Sequence, residues 1–588
     1  MLKHLSKWNF LVAALLSFSV LLAACGDSPT ATPATATTPA SKTGLNIATG
    51  AKTTLAANFP DTTTVFVSIN TDTASSQIKS WQKIIEYLAQ IPEVKLLTQN
   101  MDLLALAKIG TYDGDIKPWI GSELAIGLTD VNAVVNLATG SGTANSSELP
   151  VLVAASVKDQ AKADAFIAKL STQLTGAGLT APTKETYKDA TLYTFNLGIA
   201  NIVAGLSKDK LFIGGGPNLV KGAFDQTNGK SLANSIQFKN TVSNLPVENL
   251  AFTYLDYQAI VKTVTNNPQI KSALSSLNTT NLDYTASIGA AFSTAPEGFR
   301  IDSYQLFLSD KIPAAVADTL KKGTNPNKLL TALPENTIAF MNSRDATSVY
   351  NTFATSLKSM GGSTGVDFDK SITQFEQKSG LSVKNDIVSL FGGEYGVFVS
   401  SEPANKALPV GFGLMTEATD KTATQAKLDK IANAIAQNAQ GQVTWANKTV
   451  GSTTYRNAQI TDAKSKMTVS ANLGIAGNYA FFSLGDDTTA GLIGAATGGK
   501  NFTNGANAES FNKTKAGLPT ENTGFFYLDI QAAIKVAKSV IPAGKQVDQV
   551  KAVTDKLTKL YAIGSATKQT LSPAESFSSV YIYFPVTQ

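Results

Sequence analysis

Residues 333–340 read Leu-Pro-Glu-Asn-Thr-Ile-Ala-Phe, and residues 518–525 read Leu-Pro-Thr-Glu-Asn-Thr-Gly-Phe. Two related segments occur earlier: residues 59–66 read Phe-Pro-Asp-Thr-Thr-Thr-Val-Phe, and residues 245–252 read Leu-Pro-Val-Glu-Asn-Leu-Ala-Phe. A proline fits the entrance of a β-strand because it cannot donate a hydrogen bond to the ladder. Each segment therefore predicts the start of a strand.

The spacing of these segments predicts two homologous halves. The prolines of the first and third segments are 274 residues apart, and those of the second and fourth are 273 apart. Further pairs keep the same order at separations of 271, 259, 262 and 275 residues: Glu123 and Glu394, Pro150 and Pro409, Tyr193 and Tyr455, Gly289 and Gly564. Repetition at a nearly constant period indicates a duplicated architecture.

Strand and helix patterns alternate within each half. Apolar residues recur at helical spacing over residues 78–88, whereas residues 150–157 and 409–415 are short apolar runs typical of strands. Such mixtures are typical of the α+β class. We therefore predict two tandem homologous repeats, each a largely antiparallel sheet with packed helices, over residues 58–330 and 331–588.

The N-terminus has the composition of a signal peptide. Two lysines precede an apolar run from Phe10 to Leu22, which is shorter than the roughly 20 residues of a membrane-spanning helix. A basic start, a short apolar run and small residues after it are the signs of a secretory signal. We predict a signal peptide over residues 1–24.

The apolar run ends in a motif around the single cysteine of the chain. Leu22-Ala23-Ala24-Cys25, followed by Gly26, resembles a bacterial lipobox, in which small residues fit the signal peptidase. The resemblance implies that Leu22, Ala23, Ala24 and Gly26 are recognised by that peptidase and that Cys25 carries lipid, palmitate included. An ordinary secretory signal is the alternative. We expect a lipoprotein anchored on the extracytoplasmic face of the cell membrane.

Residues 25–57 separate this cysteine from the first predicted strand. Their sequence is rich in Thr, Ala and Pro, and the stretch from Ser28 to Ser41 has no large apolar residue. Such a segment cannot bury enough apolar surface to form a core. We predict a lipidated cysteine followed by a disordered tether.

Composition excludes several classes of function. The chain has 588 residues, a net charge of +5, one cysteine and one histidine, and that histidine lies in the signal peptide. The mature chain thus lacks the imidazole of a Ser-His-Asp site and the ligands of a His-bound zinc. One cysteine cannot form an internal disulfide. The charge is too small for the concentrated basic face of a nucleic-acid-binding protein.

Three motifs resemble catalytic or nucleotide-binding sequences without completing them. Gly494 to Lys500 fits a phosphate-binding loop, but Asn501 replaces the Ser or Thr that binds magnesium. The G-x-S-x-G motif at residues 361–365 has no histidine partner. The pairs Ser76 with Lys79 and Ser80 with Lys83 resemble Ser-Lys acyl-transfer sites. Their lysines fall on the polar side of the predicted helix, where they stay solvated.

Paired carboxylates leave one catalytic alternative, glycoside hydrolysis. Glu123 and Glu394 are candidates, although equivalent positions in two repeats indicate a structural role. Asp256 and Asp529 follow repeated strands and are predicted to cap helix N-termini. The acidic pairs at Asp113 and Asp115 and at Asp367 and Asp369 suggest calcium, but neither completes an EF-hand loop, and turn chemistry explains both.

Two further segments resemble a known family. They are Val157-Lys158-Asp159 and the stretch from Lys378 to Glu394, which ends in Gly-Gly-Glu. Together with the proline-led strands, they resemble the DUF3352 family of bacterial extracytoplasmic proteins of unknown function. The resemblance would cover both halves. It implies an extracytoplasmic, often lipid-anchored protein and brings no catalytic residues.

The sequence therefore predicts a protein that is not an enzyme and needs no cofactor or metal. We expect a binding or scaffolding protein that meets the membrane through its N-terminal lipid and an envelope protein, glycan or lipid as partner. Nucleic acid and nucleotide are not expected partners. The alternatives are a carrier of lipid or another hydrophobic ligand and, third, a carboxylate-dependent hydrolase of envelope polysaccharide.

Overall fold

A computed structural model describes most of the chain from Thr49 onward. The described residues are 49–91, 110–131, 149–197, 201–226, 229–266, 284–295, 297–321, 323–324, 326–344, 346, 350, 368–403, 405, 409–439, 443–461, 468–505, 507–540, 551, 554 and 557–585. The predicted signal peptide, Cys25 and the tether up to residue 48 lie outside them. In this article the first half is residues 49–321 and the second half is residues 326–585.

The described strands divide equally between the two halves. Those of the first half are β1 (Val65–Asn70), β2 (Ile120–Leu128), β3 (Leu149–Val157), β4 (Thr183–Tyr187), β5 (Ala190–Asn196), β6 (Asn201–Leu206), β7 (Lys210–Gly215), β8 (Ala251–Asp256), β9 (Thr285–Ala295) and β10 (Gly298–Phe307). Those of the second half are β11 (Thr337–Arg344), β12 (Glu394–Ser401), β13 (Val410–Glu417), β14 (Ala446–Val450), β15 (Thr453–Thr461), β16 (Thr468–Ala476), β17 (Tyr479–Leu484), β18 (Gly524–Asp529), β19 (Ala562–Leu571) and β20 (Ala574–Tyr583).

The described helices follow or separate these strands. They are α1 (Ser76–Leu88), α2 (Gln160–Gly176), α3 (Pro217–Asp225), α4 (Ile236–Val242), α5 (Tyr257–Asn266), α6 (Ala314–Lys321), α7 (Phe368–Ser379), α8 (Lys421–Asn438), α9 (Asp486–Ala496), α10 (Ala508–Ala516) and α11 (Ile530–Val540). Short 3₁₀ turns, Leu55–Asn58 and Lys328–Thr331, precede the first strand of each half.

All twenty strands belong to one antiparallel sheet. Following the pairings from edge to edge, the first half runs β4-β5-β6-β7-β3-β2-β1-β8-β9-β10. The second half continues from β10 as β20-β19-β18-β11-β12-β13-β17-β16-β15-β14. The strands of the two halves thus pair in the same internal order, arranged outward from the central pair β10–β20.

One face of the sheet carries the main core of each half. In the first half, the 3₁₀ turn, α3 and α4 bury Phe59, Phe66 and Phe238 among aliphatic residues. In the second half, α9 and α10 bury Phe511 and Tyr527 in the same manner. We call this the core face. Burying each such side chain stabilises the fold by about 1.5–3 kcal/mol.

Other helices lie on the opposite face, which we call the outer face. Helix α2 covers β3 and β5–β7, where Ile167 packs against Ala204 and Leu206. Helix α8 covers β16 and β17, where Leu428 packs near Phe482. Both faces of these strands are therefore apolar.

The joint between the halves is packed and hydrogen-bonded. On the outer face, Trp81 of α1 contacts Phe299 at a ring-centroid distance of 5.3 Å, and Tyr87 stacks on Phe584 at 5.8 Å. On the core face, the Arg300 Nε donates to Asp302 at 2.6 Å. The two halves consequently form one body.

The α+β class and the antiparallel pairing are confirmed, and three predicted details need correction. The strands do not form a separate sheet in each repeat, because β10 and β20 pair along their length. The predicted tether extends too far, since Leu55 and Ala56 are buried in the first core. The boundary at 330/331 splits the turn Lys328–Thr331, although Leu329 and Leu330 both belong to the second core.

Candidate functional site

Glu123 is a buried carboxylate on β2 that binds the segment before β1. It accepts hydrogen bonds from the Thr54 N–H at 2.9 Å, the Leu55 N–H at 3.3 Å and the Ser68 hydroxyl at 2.8 Å. The first two donors belong to the start of the 3₁₀ turn Leu55–Asn58. A carboxylate satisfies such unpaired N–H groups at the beginning of a turn, so Glu123 holds this segment on the sheet.

Glu394 performs the same task at the start of β12. It is fully buried and accepts from the Lys328 N–H at 2.8 Å, the Leu329 N–H at 3.3 Å and the Asn342 amide at 2.8 Å. Burial raises the pKa of the Glu394 carboxyl, while these donors lower it by a smaller amount. The oxygens point into the protein and are occupied, so this carboxyl is not placed to act on a bound substrate.

Asp256 and Asp529 cap helices, in agreement with the prediction from their repeated positions. The Asp256 carboxylate accepts from the Ala259 N–H at 2.9 Å, and Asp529 accepts from the Ala532 N–H at 2.7 Å. Burial raises the pKa of both carboxyls. A side-chain acceptor three residues before the donor is the usual N-cap geometry.

The remaining acidic pairs bind lysines of this chain. Asp113 pairs with Lys117 at 2.7 Å in an exposed turn, and Asp115 pairs with Lys169. The hydrogen bond from Lys169 lowers the pKa of Asp115. Asp367 lies outside the described residues. Within those residues, His, Cys, Asp and Glu side chains form no group of three that could hold a metal ion.

The motifs that resembled catalytic sequences do not have the required surroundings. Residues 494–500 lie at the end of α9 and in the turn after it, so the strand that precedes a phosphate-binding loop is replaced by a helix. Lys79 and Lys83 of α1 are solvated, and the Ser76 hydroxyl donates to Glu248 at 3.2 Å. The segment 361–365 lies outside the described residues.

Two concave sites occur on the described surface. A groove of about 550 Å³ lies between residues 50–54 and α4, with Phe238 and Val242 on its floor. A smaller pocket of about 240 Å³ contains Tyr193, whose hydroxyl donates to Asp164. Burial, with help from that hydrogen bond, raises the pKa of Tyr193 to about 12. Neither site brings two free carboxylates together.

The outer face of the second half exposes a row of apolar side chains. Phe526 of β18 pairs with Met341 of β11, Met341 pairs with Val397 of β12, and Val397 pairs with Leu414 of β13. Phe412 lies two residues before Leu414 on β13 and therefore on the same face. We call these five residues the apolar patch. Strands lie about 4.8 Å apart, so the row spans about 14 Å.

The exposure of the apolar patch is high for strands in the middle of a sheet. Met341 is 53 % exposed, Phe412 is 45 % exposed and Val397 is 42 % exposed. Their counterparts in the first half, Val67 on β1 and Ile126 on β2, are only half-buried. An exposed cluster of large apolar side chains is typical of an interaction site.

The apolar patch has defined borders on two sides. Leu414 pairs with Phe482 of β17, which lies beneath α8. Tyr395 follows next along β12 and contacts Phe391 at a ring-centroid distance of 5.8 Å. Burial raises the pKa of Tyr395. The patch is thus limited by α8 on one side and by an aromatic pair at one end.

Sequence reasoning missed this patch. Its strands are apolar on both faces, a pattern that predicts strands buried on both sides. Exposure depends on which helices cover which strands, and strand periodicity does not encode that. In the described parts of the chain, no helix is long and apolar enough to cross a membrane.

These observations define an α+β protein whose conspicuous carboxylates maintain the fold and whose outer face carries an exposed apolar patch. The profile of the family described as protein of unknown function (DUF3352) matches residues 34–584. The chain belongs to that family.

Other comparisons add little. A search of curated proteins finds no match. The chain is similar to solved structures of TP0453, with 9 % identity in each case. Crystal form III aligns over 45 % of this chain and 82 % of that one with a TM-score of 0.23. Crystal form I aligns over 44 % and 79 % with a TM-score of 0.22.

Proposed function

We propose that this protein is a lipid-anchored, extracytoplasmic binding protein that does not catalyse a reaction. The apolar patch is the observation that carries the proposal. Three large apolar side chains, Met341, Val397 and Phe412, are between two-fifths and just over half exposed on adjacent strands. Leaving them in water has an energetic cost that a partner covering the patch would remove.

The absence of catalysis is supported by how the carboxylates are used. Glu123 and Glu394 each receive several hydrogen bonds from the segment that precedes the first strand of their half. A general acid or a nucleophile needs an oxygen directed at the substrate. We do not propose polysaccharide hydrolysis, because none of the described sites provides that arrangement.

We also propose that the two halves are tandem copies of one unit. Three pairs of equivalent features support this: the internal order of the strands, the buried glutamates and the capping aspartates. Each pair keeps a separation of 271 to 275 residues along the chain. The proposed copies are residues 49–321 and 326–585, which include the turn before the first strand of each half.

A second candidate function is transport of a lipid or another hydrophobic ligand. It is favoured by the side chains of the apolar patch, which contain no nitrogen or oxygen. Scaffolding of a protein is the first candidate, because both main cores are closed and packed.

Two experiments test the proposed function. Replacing Cys25 by serine is expected to abolish incorporation of labelled palmitate and to release the chain from the membrane fraction. Labelling that persists in Cys25→Ser would contradict the anchor. Separately, the full chain purified from native membranes is examined by native mass spectrometry. A second polypeptide supports the scaffold, an added lipid mass supports the carrier, and a bare monomer at all concentrations contradicts both.

A further inference from the structure

The patch has no hydrogen-bonding capacity, and this limits what can bind there. Its side chains, those of Met341, Val397, Leu414, Phe412 and Phe526, are all apolar. The N–H and C=O groups of β11 and β12 point along the sheet toward paired neighbours on both sides. A strand from another protein therefore has no free edge to join here. A ligand without polar groups loses nothing by contact with this surface.

The predicted anchor determines which apolar molecule is nearby. Between Cys25 and Thr49 the chain has 24 residues, which reach at most about 80 Å when fully extended. A lipid on Cys25 would keep the body within that distance of the bilayer. Tethering raises the local concentration of whatever the membrane contains, and phospholipid is its main apolar component.

We propose that the apolar patch binds the acyl chain of a membrane phospholipid. This inference rests on the proposed function, because it assigns a ligand to the same surface and uses the same anchor. The acyl chain lies across β11, β12 and β13 and covers Met341, Val397 and Phe412. Helix α8 and the contact between Phe391 and Tyr395 limit the length of chain that the surface accepts on two sides.

A photocrosslinker at position 412 tests this directly in the full chain. Benzoylphenylalanine replaces Phe412, cells are irradiated, and the intact mass of the protein is measured. The matched control places the same residue at Ile236, which is 76 % exposed in the first half, outside the patch. We expect an added phospholipid mass at position 412 and at least about tenfold less at position 236.

Each other outcome has a definite meaning. A protein adduct at 412 overturns the lipid assignment and leaves the binding function standing. An internal crosslink, with the mass of the chain unchanged, shows that the chain covers its own patch and overturns both. Equal lipid adducts at 412 and 236 show general contact with the bilayer and overturn the specific site. No adduct at 412 also overturns both proposals.

A second variant tests the contribution of the floor. Val397→Glu, combined with the crosslinker at 412, places a charge where the acyl chain would lie. We expect the lipid adduct to fall by about tenfold or more, because a charge resists transfer from water to an apolar contact. The matched variant Ile236→Glu should leave the adduct at 412 unchanged. An undiminished adduct in Val397→Glu would contradict the proposed position of the acyl chain.

Discussion

Replacing Glu394 by alanine is expected to destabilise the second half by about 4 kcal/mol. The change removes the acceptor of two buried donors, the Leu329 N–H and the Asn342 amide. A buried donor left without a partner costs about 1–3 kcal/mol. The Lys328 N–H also loses its partner, but it belongs to a solvent-accessible residue and can bind water. The sum is a large share of the roughly 5–15 kcal/mol that usually stabilises a folded protein.

Urea unfolding of the mature chain, followed by tryptophan fluorescence, measures this loss. Trp445 reports on the second half because it packs beside α8. Hydrogen exchange of residues 328–344 should accelerate in Glu394→Ala, whereas that of residues 65–70 should not. The control is Glu297→Ala, which removes a partly exposed ion pair with Lys513 and should cost less than about 1 kcal/mol. Equal and small effects of the two variants would refute the structural role of Glu394.

Three further predictions concern the joint, the caps and the repeats. Gly298→Ala should destabilise the joint by about 1–3 kcal/mol and accelerate exchange in β20, because Gly298 has a φ of +156° and an added Cβ would lie 2.0 Å from the Ile582 carbonyl oxygen; unchanged urea midpoints would count against it. Burial raises the pKa of Asp529, so the folded state binds the extra proton, and stability relative to Asp529→Asn should fall as pH rises from the unfolded value of about 3.9 to the raised one; a rising difference in parallel titrations would contradict this. Fragments 49–321 and 326–588, expressed together, should copurify through β10 and β20, and separate elution of two folded fragments would show that the joint is dispensable.

Local features of this fold were predictable from sequence, and long-range ones were not. The proline-led segments do begin strands β1, β8, β11 and β18, because proline restricts its position in any sheet. Asp256 and Asp529 were identifiable as caps because an N-cap bond spans only three residues. The partners of Glu394 lie 52 to 66 residues away, and no spacing rule relates residues that distant.

The pairing of β10 with β20 is a clear case of information that strand patterns lack. Alternation along a strand predicts which side chains share a face, but it does not name the neighbouring strand. Each half, considered alone, ends in a strand that needs a partner. The partner is the equivalent strand of the other half, which only the topology reveals.

The residues at the joint explain why this strand pairs within the chain rather than with β10 of a second copy. Ser303 faces Ser578, and the two are 275 residues apart, so the ladder is centred as a two-fold symmetric dimer of one repeat would be. The buried carboxylate of Asp302 breaks that symmetry: it is bound by Arg300 of its own strand and by the Ser579 hydroxyl of β20. Two copies of β10 paired about Ser303 would place Asp302 opposite Tyr304 and remove the serine. A buried carboxylate that loses a hydrogen-bond donor is strongly disfavoured, so the pairing within one chain is the more stable one.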